Sequence, residues 1–140
     1  MKYTKEHARY LYCLAREYGL SGYELLQDED AVVRDCNGVG ADWMPDSLVQ
    51  LCTKMVPVME VPSAIHDRRY IVSVDRLGAD TEFLSNVNKV NEITYAWWNP
   101  LRYINRKRAE RCYWLLRTFG GAAWSEAKKK SFAVKVGETK

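Results

Sequence analysis

Residues 62–90 read PSAIHDRRYIVSVDRLGADTEFLSNVNKV. Pro62 suits the first turn of a helix running to about Val74, because a first turn leaves its N–H groups unbonded and proline has none to offer. After a short break, Phe83, Val87, Val90 and Ile93 recur at helical spacing, which predicts a second helix over about 78–96. Asn99-Pro100 ends it, since the residue before proline avoids the α region. A short turn between the two makes them antiparallel neighbours.

On either side the pattern stays helical. Ala8, Leu11, Ala15 and Tyr18 share one face of a first helix that stops near Gly19. Ser21-Gly-Tyr-Glu24 has capping-box spacing and predicts a short helix through Leu26. Cys36-Asn-Gly-Val-Gly40 reads as a loop, with two glycines and an Asn to take unusual dihedrals. Pro45-Asp-Ser47 opens a short helix over Leu48 to Met55. Residues 101–119 read as a basic amphipathic helix with Leu101, Ile104, Cys112, Leu115 and Phe119 inward, stopping at Gly120-Gly121. A last short helix surrounds Trp124, and residues 131–140 are expected to be a mobile tail. Ala31-Val-Val33 and Phe132-Ala-Val-Lys-Val136 are the only strand candidates. The expectation is one all-α domain over residues 1–140.

Composition supports a packed domain and excludes several classes. The 140 residues are 47% hydrophobic and 28% charged, enough to bury a core without crosslinks. No apolar run reaches bilayer-spanning length, so no integral membrane segment is expected. The start, MKYTKEHARYLYCLAREYG, has no apolar core of the secretory type, so a signal peptide is not expected either. The four cysteines are scattered without a C-x-x-C pair, which suits reduced thiols. Charge is divided along the chain. Residues 20–100 carry six basic and thirteen acidic residues, whereas 101–130 carry nine basic and two acidic. The basic segment suits phosphates of lipid or nucleic acid, or is simply a solvated face.

His66 and Tyr70 stand four apart on one helical face, with Asp67 about 100° round. Asp80 precedes Phe83 and Val87 by three and seven residues, which puts a carboxylate on the apolar stripe, where charge is costly unless paired. Antiparallel packing lets Asp80 and Tyr70 approach His66, which then has one nitrogen held by Asp80 and the other left as a general base. Asp75 is a rival partner, or else the N-cap of the second helix. A packed structural histidine and an interhelix salt bridge explain the same residues without chemistry. Zinc ligand spacing and phosphate-binding glycine motifs are lacking.

The order of the three blocks, Cys36-Asn-Gly38-Val-Gly40, His66-Asp67-x-x-Tyr70 and Ala79-Asp80-x-x-Phe83, resembles the phospholipase A2 superfamily. It is most similar to the short phage and viral members that lack a disulfide cage, and it covers about residues 36–96. The resemblance implies an all-α fold with a two-helix catalytic core, and Ca²⁺-dependent hydrolysis of a phospholipid sn-2 ester. It implies His66 as base, Asp80 as the orienting carboxylate and Tyr70 as a supporting hydroxyl. It also implies Ca²⁺ held by Asp67 and by the backbone carbonyls of Cys36, Gly38 and Gly40, with Asp35 or Asp42 available to complete the shell. Arg68 and Arg69 are expected to compete for Asp67. A phospholipid membrane surface is the implied partner, with Trp97, Trp98 and the arginines of 102–117 seated on it or, alternatively, the tryptophans in the core. Synthesis in a host cytoplasm and association with a virion are the implied locations. The run Tyr113 to Gly120 also resembles the end of phage proteins with a similar His-Asp core. That supports a second expectation, a non-enzymatic phage structural or host-interaction protein on the same scaffold. A nucleic-acid face on the basic helix is the least favoured reading.

Overall fold

A computed structural model describes residues 3–36, 46, 50 and 54–138. Among them every regular element is helical: α1 (Lys5–Glu17), a 3₁₀ turn (Tyr23–Leu26), α2 (Glu29–Asp35), α3 (Val56–Val72), α4 (Arg76–Thr94), α5 (Pro100–Phe119) and α6 (Gly121–Glu138). The protein is all-α. No helix among the described residues is long and apolar enough to cross a membrane.

Local chemistry starts most of these helices. The Thr4 hydroxyl accepts from the His7 N–H at 3.1 Å and caps α1. Asp28 accepts from Ala31 N at 3.1 Å and caps α2. That cap decides the fate of Ala31-Val-Val33, which is helical and not a strand, because capping outweighs the weak β preference of two valines. Asp75 caps α4 through Gly78 N at 2.9 Å, and Asn99 caps α5 through Leu101 N at 3.0 Å.

Four expectations are corrected. Ser21 does not cap the second element: its hydroxyl donates to Glu82 at 2.7 Å, and Gly22, at φ +84°, takes the cap position. A Cβ on Gly22 would lie 2.8 Å from Ile65 Cγ2, so glycine is required there on both counts. Helix α3 begins at Val56, with Pro57 in its first turn and Pro62 inside it, so Pro62 removes one interior backbone bond instead of opening the helix. The buried stripe of α5 is Asn105, Ala109, Cys112 and Leu116, while Leu101, Ile104 and Phe119 are exposed. The helix is rotated by about 60° from the apolar face read from sequence. Finally, the strand candidate Phe132 to Val136 is helical, within a last helix that runs from Gly121 through Glu138 and is not short. The short helix expected over residues 48–55 lies mostly outside the described residues.

Helices α3 and α4 form an antiparallel hairpin about a three-residue turn, with Arg69 opposite Glu82 and His66 opposite Asp80. One side of the hairpin receives α1, the 3₁₀ turn and α2. Leu11, Leu20, Leu26, Val32, Ile65 and Val87 are fully buried in that core, each worth about 1.5–3 kcal/mol of transfer free energy. Helix α5 covers α4 with Ala109, Cys112 and Leu116. Helix α6 packs Ala127 and Trp124 on Tyr70, Ile71 and Ala79 in a smaller cluster at the turn end of the hairpin. Two cations tie these ends down. Arg76 donates to the carbonyls of Leu116 and Arg117 at the end of α5, and Lys128 donates to those of Ile71 and Ser73 at the end of α3.

Candidate active site

Helix α3 carries His66, Asp67 and Tyr70, and α4 carries Asp80 one turn from its start. His66 Nε2 lies 2.7 Å from Asp80 Oδ1, and the Tyr70 hydroxyl donates to the same oxygen at 2.6 Å. Arg117, near the end of α5, donates to Asp80 Oδ2 at 2.7 Å. The Asp80 side chain is wholly out of solvent and His66 is 6% exposed. The imidazole packs against the rings of Tyr70 and Phe83, with centroids 4.2 and 5.1 Å away.

The electrostatics fix the tautomer. Burial alone would push the Asp80 carboxyl up, but the hydrogen bonds from His66, Tyr70 and Arg117 outweigh it and hold it below its ordinary range. An ionised carboxylate only accepts, so Nε2 carries the proton and Nδ1 of the neutral ring keeps its lone pair. Among the described residues Nδ1 has no hydrogen-bond partner. Tyr70 is pushed well above the usual phenol value, first by burial and then by its bond to Asp80, so it remains a donor. Asp75 is the helix cap and has no part in this cluster.

Gly120 allows the cluster to close. A Cβ there would collide with the Leu116 carbonyl and lie 3.1 Å from the Tyr70 hydroxyl and 3.2 Å from the Arg76 guanidinium. The sequence marks this glycine only as a helix stop. Nothing local in the sequence marks the contact of Arg117 with Asp80, 37 residues away.

His66 opens on a cleft of about 120 Å³, lined by Asp35, Asp67 and Tyr70 on one side and by Ala123, Glu126 and Lys130 of α6 on the other. That is room for about four waters. Asp35 is committed elsewhere: Arg34 binds both of its oxygens at 2.8 and 3.0 Å, and Arg68 reaches Oδ2 at 2.5 Å. Burial raises its pKa, and these arginines together lower it below the usual value. The expected competition for Asp67 is therefore corrected, since Arg68 takes Asp35 and Arg69 takes Glu82.

Cys36 ends α2, and its buried thiol donates to the Ala64 carbonyl at 3.5 Å. Burial, followed by the nearby charge of Asp67, pushes that thiol above its ordinary pKa. Cys36 and Asp67 are thus brought together. Gly38, Gly40 and Asp42 lie outside the described residues. Ca²⁺ takes six to eight oxygens, and no group of three or more candidate ligand side chains is assembled among the described residues. With Asp35 bound by arginines, the described donor set does not by itself fit calcium.

No protein-family model, curated protein or solved structure matches the chain. The functional reading therefore rests on this geometry and on the order of the motif residues.

Proposed function

We propose that the protein hydrolyses a phospholipid ester, with His66 as general base and Asp80 as the group that holds its tautomer. The observation that carries the reading is the 2.7 Å contact between His66 Nε2 and a carboxylate wholly out of solvent, beside a cleft of water-holding size. His66 Nδ1 takes a proton from water as the water oxygen bonds to the ester carbon. Collapse of the tetrahedral intermediate breaks the acyl C–O bond, and the imidazolium returns the proton to the departing alcohol. Tyr70 and Arg117 keep Asp80 ionised through the cycle. The lipid class is supported by the phospholipase A2-like order of motifs. Exposed Trp97 and Trp98, next to the basic helix α5, add to that support. No step is written through a metal.

The test is release of fatty acid from phospholipid vesicles, with and without Ca²⁺, beside His66→Ala. Turnover should fall at least about 10²-fold in the variant. No turnover by the wild type, with or without calcium, would leave the second reading, a non-enzymatic phage structural or host-interaction protein. One observation favours that reading: Asp80 joins α3, α4 and α5 through His66, Tyr70 and Arg117, so the cluster also serves as a clamp. Calcium has its own measurement. If Asp67 helps to hold it, millimolar Ca²⁺ raises the thermal midpoint of the wild type and not of Asp67→Asn. Equal shifts remove Asp67 from the site.

A further inference from the structure

At the other end of α4, a crevice of about 210 Å³ opens between the last turns of that helix and the first turns of α5. Asn88 and Asn91 line it, and the side-chain oxygens of both are out of solvent with no hydrogen-bond partner among the described residues. Asn91 is only 2% exposed. Its orientation is set, because Nδ2 donates to the Arg102 carbonyl at 2.7 Å and the flipped amide would oppose two oxygens. An interior acceptor without a donor is costly. Two of them in one crevice point to a donor that the described residues do not supply.

A bridging water is the simplest such donor. The space, however, equals about seven waters at ~30 Å³ each, and the remaining lining is charged and aromatic. Glu92 stands beside the two amides, and Arg102 and Arg106 come from α5. Trp97 and Tyr103 form an exposed aromatic rim, joined by the Tyr103 hydroxyl donating to the Trp97 carbonyl at 3.0 Å.

Three acceptors beside two guanidinium groups suit a ligand with a primary ammonium and a phosphate. The ammonium has three N–H donors for Asn88, Asn91 and Glu92 and a charge for the aromatic faces, and the phosphate meets the arginines. We propose that this crevice binds a phosphoethanolamine group presented by a bilayer lipid. Trp98, Leu101 and Ile104 are exposed on the adjoining turn and first helical turns, which suits the zone below lipid headgroups. A choline headgroup has no N–H and would leave both amide oxygens unmet. The identity of the carrier rests on the lipid reading above, whereas the headgroup chemistry does not. The crevice is an anchor separate from the dyad, since Asn91 is ~16 Å along α4 from Asp80 at 1.5 Å per residue.

The experiment titrates soluble O-phosphoethanolamine and O-phosphocholine into the full chain, following backbone amide shifts. It then floats the protein with vesicles of phosphatidylcholine alone or mixed with phosphatidylethanolamine. Phosphoethanolamine should bind about ten-fold tighter than phosphocholine, and the mixed vesicles should retain the protein about ten-fold better. Asn88→Leu, which removes one of the two unmet oxygens, should reduce the preference, whereas Glu92→Gln and Arg106→Ala should each weaken both ligands. Equal affinities, or no binding, overturn the proposal and assign the orphaned oxygens to water. Discrimination among soluble ligands with none among vesicles overturns the lipid source. Binding is read and not turnover, so an inactive protein that prefers ethanolamine sinks only the hydrolase reading. An active protein without the preference sinks only this one.

Discussion

The two ends of α4 treat buried polar groups in opposite ways. Near its start, both oxygens of the Asp80 carboxylate are hydrogen-bonded, by His66, Tyr70 and Arg117. The one buried nitrogen there without a hydrogen bond among the described residues, Arg76 Nε, still lies 3.9 Å from that carboxylate. Near its end, Asn88 and Asn91 each keep an oxygen that nothing in the described chain meets. The end at Asp80 can hold a charge in the interior because both carboxylate oxygens are hydrogen-bonded, so its chemistry is preorganised. The unsaturated end is complete only with something added. One helix thus carries a finished polar site and an unfinished one, and substitutions at the two should have opposite signs.

The largest effect is expected at the finished end. Asp80→Ala strands an imidazole, a phenol and a guanidinium, and should cost about 3–5 kcal/mol of unfolding free energy by denaturant titration. Asp75→Asn, at the exposed cap of the same helix, should cost less than about 1 kcal/mol. A similar loss at both positions would break the contrast. Tyr70→Phe removes one hydrogen bond to a charged oxygen and should cost about 1.5–3 kcal/mol.

The acid limb sharpens the same point. The folded pKa of Asp80 lies below its unfolded value. Its stabilisation is therefore present above about pH 4 and lost as the pH falls through the lower folded value. Asp35 acts with the same sign. Denaturation midpoints measured between about pH 2 and 5 should fall steeply for the wild type and more shallowly for Asp80→Asn. The smallest effect belongs to the unfinished end. Asn88→Leu removes an unmet acceptor and should leave stability unchanged or raise it by up to about 1 kcal/mol. A loss of 2 kcal/mol or more, about the cost of stranding a buried group, would mean that Asn88 already has a partner.

Much of the finished site was legible in sequence because its signals are local. Asp80 shares a stripe with Phe83 and Val87, which favours it over Asp75 as the histidine's partner, and all three are buried. Arg117 was not legible, being brought in by the crossing of α5, which periodicity does not encode. The α5 face was misjudged for a related reason: Leu101, Ile104 and Phe119 form a plausible stripe, and the alternative through Asn105 and Ala109 wins only once α4 is in place. Valines misled at 31–33, where an aspartate cap decided the matter. The orphaned amides gave no signal, since an Asn on a helix is unremarkable until its surroundings are known.

The span between Asp80 and Arg117 also sets an order of events during synthesis. A ribosome adding about 5–20 residues per second delivers the carboxylate about 2–7 s before the guanidinium that covers its second oxygen. Once α4 is complete at Thr94, the α3–α4 hairpin can bring His66 and Tyr70 to Asp80 before Arg117 reaches the other oxygen of the carboxylate. Helix α6, which closes the cleft, comes later still. The second oxygen of the interior charge is therefore covered late, and a chain shortened before Arg117 should unfold at lower denaturant concentration than the full chain.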